Sequence, residues 1–338
     1  MPHMNKKTFY RPFIIPSVFS ALILVAVGYF MGFAAFGTAA LLVILEISLS
    51  FDNAIVNAGV LKHMSALWRR RFMTWGIVLA VFITRAVLPM LTVSASARVS
   101  PLHVAWLAVH DPAQYGALLA STHYVINAFG GMFLFMVGFS YFFDADKTRH
   151  WIHAIERRLS MWGSLQAIEM IIALTVLIVC AWLLPLHATE ILAAGCIGIL
   201  AFIITHGLAK IFASLESSAK SGLALFLYLS MLDVAFSLDS VIGAFALSTN
   251  LIVILVGLGI GAYFVRTLTI SMVEHGTLDS LIYIEHGAHW AILGLAGVMI
   301  ASLFVEVPEP VTGLIGLAFI VSAYVSSSRA AKLLMHQS

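Results

Sequence analysis

Between Phe33 and Leu61 the chain is largely apolar, except for the run Leu45-Glu46-Ile47-Ser48-Leu49-Ser50-Phe51-Asp52-Asn53. That run brings two carboxylates, two hydroxyls and an amide into a stretch suited to lipid. An ionised side chain near a bilayer centre costs about 2.5–3.5 kcal/mol on insertion scales, so such groups usually serve a function. The run recurs as Leu232-Asp233-Val234-Ala235-Phe236-Ser237-Leu238-Asp239-Ser240. Glu46 matches Asp233, Ser50 matches Ser237 and Asp52 matches Asp239, while Ser240 stands where the first copy has Asn53.

Spacing limits what these groups can do together. At about 100° per residue, Glu46, Ser50, Asn53 and Asn57 share one stripe of a helix, with Asp52 about 120° away from Glu46. A regular helix cannot aim both carboxylates at one point. Either Asp52 addresses a neighbour such as Arg85, or the helix unwinds near Ser48–Asp52 and turns carbonyls inward, which is tolerable only beside a cavity or inside protein. The second copy has the same geometry, with Asp233, Ser237 and Ser240 on the stripe and Asp239 off it. Four acids brought together would need protons, the intramembrane Arg85 and Arg266, or a cation to neutralise them. Two arginines cannot balance four acids. Carboxylate, hydroxyl, amide and carbonyl oxygens suit hard divalent ions such as Mn²⁺, Mg²⁺ and Ca²⁺, and the motifs contain no Cys for a softer metal. The plainer alternative is that the acids only pair with the arginines to hold helices together.

Other polar positions carry weaker signals. Glu285-His286 and His289 place two histidines at i, i+3 beside an acid, which could admit ions or simply be hydrated. Glu169 and His206 could form a proton path or a hydrogen bond across a bundle.

The elements that must position these groups follow from composition. Hydrophobic residues make up 61% of the 338, charged ones 10%, and mean hydropathy is +1.01. A soluble domain would carry about 25% charged residues, so the pattern is that of an all-α polytopic membrane protein. Cys180 and Cys196 sit in apolar runs without metal or disulfide spacing, and no nucleic-acid motif is visible. Runs long enough to span lie near 13–31, 37–60, 73–93, 123–143, 167–186, 190–210, 222–246, 251–272, 286–305 and 310–327, giving about ten helices. The first has the flanks of a signal peptide, but its length and its counterpart in the second half favour a retained helix. With ten helices, fifteen basic residues fall on one side, Arg98 alone on the other, and Arg85 and Arg266 within spans. That asymmetry puts both termini in the cytoplasm. Residues 94–122, with Pro101, Trp106, His110, Asp111 and Pro112, form an outer connection that could include an interfacial or re-entrant piece. Residues 144–166 read as a solvated basic loop, with Trp151 and Glu156-Arg157-Arg158 allowing a short amphipathic helix.

The duplication extends beyond the acids. Gly76 precedes Arg85 by nine residues and Gly257 precedes Arg266 by nine, while Ile126-Asn127 and Ile284-Glu285 open comparable helices. The expected plan is one transmembrane domain over 1–338. It holds a first repeat at 13–143 (helices 1–4), a cytoplasmic loop and linking helix at 144–186, an inverted second repeat at 190–305 (helices 6–9), and a final helix and tail at 310–338. Five helices separate equivalent positions, so the repeats run oppositely through the membrane, with interrupted helices at the midplane.

The doubled E-x-x-x-S-x-D-N-type motif resembles the TerC-like family of integral membrane proteins, named for tellurium resistance. The Glu285-His286-Gly287-Ala288-His289 segment and the longer chain resemble its DUF475-type subgroup. The resemblance covers nearly the whole chain, which departs from it at Ser240 and in its extra helices. It implies a bacterial inner-membrane protein related to manganese-efflux and lysine-exporter-type carriers, with Glu46, Asp52, Asn53, Asp233 and Asp239 handling the ion. Ser50, Ser237 and Ser240 would then be supporting ligands. The combined expectation is a secondary transporter exporting a divalent cation, Mn²⁺ foremost, by alternating access and in exchange for protons. Its partners would be the lipid bilayer and the transported ion, with no resident cofactor and no nucleic acid; a homo-oligomer is possible but not indicated. The alternatives are an exporter of a small organic cation or amino acid, and a non-transporting scaffold for a stress-response complex working through 144–166. No nucleophile–base signature points to an enzyme.

Overall fold

The computed structural model describes residues 11–335 apart from Asp146, Gln166, 214–217 and Thr249. Every element among the described residues is helical, the only geometry besides a closed barrel that satisfies the backbone inside lipid. A 3₁₀ turn at Arg11–Phe13 leads into α1 (Ile14–Met31), followed by α2 (Phe33–Leu49), α3 (Phe51–Leu61) and α4 (Ala66–Val78). A π-helical segment (Leu79–Val87) joins α4 to α5 (Leu88–Ala97). Then come α6 (Pro101–His110), α7 (Pro112–Ser121), α8 (His123–Phe142), α9 (His153–Trp162), α10 (Ile168–Leu183) and α11 (Ala188–Ala213). The chain closes with α12 (Ser218–Leu247), α13 (Leu251–Glu274), the short α14 (Thr277–Ser280), α15 (Ile284–Ala301) and α16 (Glu309–Met335).

Seven helices among the described residues are long and apolar enough to cross a membrane; the pair α2 and α3, bent by 52° at Ser50, is either an eighth, broken span or a re-entrant loop. The ten runs expected to span all lie in helical segments, with 37–60 divided between α2 and α3. Two of them, at Ile168–Leu183 and Gly222–Ser237, are shorter apolar stretches. The outer connection folds into α6 and α7, ten residues each. At 1.5 Å per residue neither can cross a bilayer. Each starts with a proline in its first turn behind an oxygen cap: Ser100 accepts the His103 N–H at 3.3 Å and Asp111 accepts the Gln114 N–H at 3.0 Å.

The chain divides into two compact units. The first comprises residues 1–123 and 236–276, the second 124–235 and 277–338. Helix α12 therefore supplies residues to both, and each unit draws on both halves of the sequence. In the first unit α13 packs along α2, α3 and the π-helical segment. Close approach is possible because α13 presents glycine there. A Cβ at Gly257 would lie 2.5 Å from Leu42 Cβ, and one at Gly261 would lie 2.5 Å from Cβ and Cγ of Glu46. Small residues at such seams let helix backbones approach within a membrane. Gly32, at φ +94°, makes the one-residue joint between α1 and α2. In the second unit α10 packs on α11 and α15 on α16, with Phe133 of α8 edge-on to Phe202 of α11 at 6.1 Å.

The two motif copies fold differently. Helix α2 ends at Leu49, Ser50 leaves the helical region (φ −97°, ψ 14°), and α3 begins at Phe51. The expected interruption is present in the first copy. The second copy corrects the expectation, because α12 runs through it unbroken from Ser218 to Leu247. Local hydrogen bonding gives the reason. In the first copy Ser48 donates to the Ile44 carbonyl (2.8 Å), Ser50 donates to Glu46 Oε1 (3.0 Å), and Asp52 Oδ1 accepts the Asn53 N–H (2.8 Å). Side chains that compete for local polar groups weaken the helical ladder. Ala235 stands where Ser48 does, removing one competitor.

Candidate functional site

The break at Ser50 organises the polar interior of the first unit. The end of α2 leaves carbonyls without intrahelical partners and the start of α3 leaves N–H groups, so both partial charges of the helix termini open there. The expected stripe is buried: Glu46 is 2% exposed, Ser50 9%, Asn53 5% and Asn57 2%, and the off-stripe Asp52 is also buried at 5%.

Glu46, not Asp52, takes the arginine. Arg85 Nη2 pairs with Glu46 Oε1, the oxygen that also accepts from Ser50, while Glu46 Oε2 has no hydrogen-bond partner. Arg85 reaches Glu46 from the π-helical segment, and its other guanidinium nitrogen donates to the Ala80 carbonyl at 2.6 Å. Pro89, two residues beyond that segment, explains the widened winding. It lacks an N–H, and its ring crowds the carbonyl four residues back. Thr84 donates to the same Ala80 carbonyl at 2.5 Å, and its hydroxyl oxygen lies 3.3 Å from the Ser237 hydroxyl, tying the π-helical segment to α12. Thr84 was not among the residues singled out from sequence, although a threonine beside an intramembrane arginine was a usable cue.

Asp52 has no basic partner among the described residues; its hydrogen bond is the one from the Asn53 N–H. Arg266, on α13, stacks over the Phe72 ring at 4.2 Å and donates to the Phe72 carbonyl at 3.1 Å. A Cβ at Gly76 would fall 2.4 Å from its Nη1, so glycine keeps that space open. Ser240 donates to the Ser237 carbonyl at 3.0 Å. Asp233 belongs to the second unit, and the side chain of Asp239 lies outside the described residues. Among the described residues no three His, Cys, Asp or Glu side chains gather to hold a metal ion.

The second unit holds a separate polar centre around Glu156 of α9. This carboxylate, 1% exposed, accepts from the Trp151 N–H (2.8 Å), His286 Nδ1 (2.7 Å) and Trp290 Nε1 (2.9 Å). Burial alone would push its pKa up, but the hydrogen bonds from His286, Trp290 and Trp151 outweigh that and hold it at about 2. Nearby, Lys147 lies 3.1 Å above the Tyr141 ring. Burial lowers its pKa to about 8 against the opposing pull of Glu156, Asp144 and Glu285. His289 stacks on Tyr141 at 3.6 Å and donates to the Glu285 carbonyl at 2.7 Å. His286 and His289 thus both make hydrogen bonds within the protein. Glu169 and His206 are not joined by a hydrogen bond or ion pair; His206 instead stacks on Phe202 at 4.9 Å and meets Tyr228 edge-on. Glu156 as a buried anchor went unforeseen, masked by the adjacent arginines. The cue was the line of Ser160 and Gly163 four and seven residues on, which continues its face.

These features define a polytopic α-helical membrane protein with a bent apolar helix pair and buried acids. The family model "Protein of unknown function (DUF475)" matches residues 51–333, and the chain belongs to that family. No curated protein and no solved structure matches it.

Proposed function

We propose that this protein is a secondary transporter that exports a divalent cation, Mn²⁺ foremost, by alternating access of two inverted repeats (helices 1–4 and 6–9 of ten), with protons as the exchanged ion. The observation that carries the reading is Asp52, a carboxylate buried beside a helix break with no basic partner among the described residues. Half-helix ends facing a polar interior are where carriers place ion sites, and the carbonyl end of α2 supplies hard oxygen donors beside that carboxylate. Glu46 Oε2 adds a second buried oxygen without a hydrogen bond. The resemblance to TerC-like proteins supports the same substrate class, and the basic residues support an inner-membrane orientation with both termini cytoplasmic.

Reconstituted protein with a metal-sensitive dye inside the vesicle tests the proposal. Asp52→Asn should lower Mn²⁺ flux by on the order of 100-fold, the equivalent of about 3 kcal/mol for removing a buried charge interaction. Unchanged flux in an Asp52→Asn, Asp239→Asn double variant would count against any carrier role. The second reading, a non-transporting scaffold, is favoured by the closed Glu46–Arg85 pair, and that result would select it.

A further inference from the structure

Helix α9 is turned inside out relative to a helix on a soluble surface. Its buried face carries polar and small residues: Glu156 fixed by His286 and Trp290, Ser160 donating to the Asp144 carbonyl at 2.9 Å, and Gly163 just beyond its end. A Cβ at Gly163 would sit 1.7 Å from the Phe143 carbonyl oxygen, so the end of α9 lies directly against the end of α8. These three positions, at i, i+4 and i+7, form one line on the helix. The opposite face is uncovered and mixes large apolar residues with Arg158, which lies between Met161 and Trp162 around the helix. Met161 is 58% exposed, Trp162 55% and Ile155 47%, with Leu165 in the following turn at 56%. Arg157 and Arg158 are exposed beside them, and Arg149 is exposed on the approach.

Water is a poor neighbour for such a face, and the chain fixes where the face can be. Ten residues separate α9 from the membrane-crossing α8, and five separate it from the apolar α10. With Glu156, Ser160 and Gly163 holding it at the end of α8, α9 stays at the membrane boundary. An uncovered face that carries Trp, Met and Ile around Arg158, with Arg157 at its edge, has the mixed composition of a helix lying in the headgroup layer, where arginine stems can lie along the apolar surface. The arginines complement negative charge there.

We propose that the outer face of α9 is a binding surface for anionic phospholipid, with Met161, Trp162 and Ile155 entering the acyl boundary and Arg157 and Arg158 engaging headgroup phosphates. Glu156 orients the helix so that this face points outward. The surface is independent of any transport activity.

The test uses the full chain with Cys180→Ala, Cys196→Ala and a nitroxide on Met161→Cys. It is reconstituted in phosphatidylcholine vesicles with and without phosphatidylglycerol. Collisions with oxygen and with a water-soluble nickel chelate report whether the label lies in lipid or water. The label should lie in lipid when phosphatidylglycerol is present. Adding Arg157→Gln and Arg158→Gln should lower the ratio of lipid-buried to water-exposed label about 25-fold, at about fivefold per arginine near an anionic surface. Free inorganic phosphate should not reproduce the effect of the lipid. A label open to the nickel chelate in both vesicles overturns the proposal. So does one shielded from both probes, which would mean a protein partner, or a lipid-buried label indifferent to phosphatidylglycerol and to the arginine substitutions.

Discussion

Glu46 and Arg85 form a buried ion pair, and a buried pair matters chiefly through what its loss leaves behind. Arg85→Met strands a carboxylate at 2% exposure and should lower unfolding free energy by about 3–5 kcal/mol, measured by denaturant titration in mixed micelles. Adding Glu46→Gln should restore more than half of that loss. Glu156 yields a pH prediction. Its folded pKa of about 2 lies below the 4.5 of an unpaired carboxyl, so the unfolded chain binds more protons between those values. Its contribution is complete above about pH 4.5 and is lost as pH falls through about 2. The Tm of the solubilised protein should therefore drop from pH 5 to pH 2.5, and Glu156→Gln should flatten that limb. The stripe of Glu46, Ser50, Asn53 and Asn57 was legible in the sequence, because helical spacing alone defines it. The partner of Arg85 was not. It lies 39 positions away, and the π-helical segment alters which way the arginine points.

Among the elements, the bent pair of α2 and α3 and the unbroken α12 show how far matched motifs determine matched backbones. The break near Ser48–Asp52 was one of two outcomes the spacing left open. The copies are identical only at Leu45/Leu232, Ser50/Ser237 and Asp52/Asp239, and Ser48 competes with the helical ladder where Ala235 has no side chain that can. The seam between α13 and α2 depends on glycine. Gly261→Val would press into Glu46 and should cost about 1–3 kcal/mol by overpacking, read as a lowered Tm, while a valine at the uncrowded Gly37 should cost less. Gly163→Ala meets backbone rather than a flexible side chain, so α9 must lift from α8. Greater protease cleavage within 144–166 should report that release. The docking of α9 was hidden from sequence reasoning because Glu156 sits among arginines and reads as solvated.

At the scale of the molecule, apolar runs located the helices well, since lipid imposes length and composition directly. Their grouping was less visible. Each compact unit combines segments from both halves of the chain, a matter of long-range packing that hydropathy does not encode. The basic residues predict that reporters fused after Thr148 and at the C-terminus read as cytoplasmic and one fused at Ser100 as external. A reporter at Ser100 matching the others would overturn that orientation. The π-helical segment bears on any symmetry between the halves. Nine positions separate Gly76 from Arg85 and Gly257 from Arg266. A turn closed five residues back holds one residue more than a turn closed four back, so the first stretch advances through less rotation than the second. Equal ordinal distance therefore delivers the two guanidinium groups to unequal azimuths, and a cycle that exchanged the roles of the halves would have to rewind one helix and leave the other as it is.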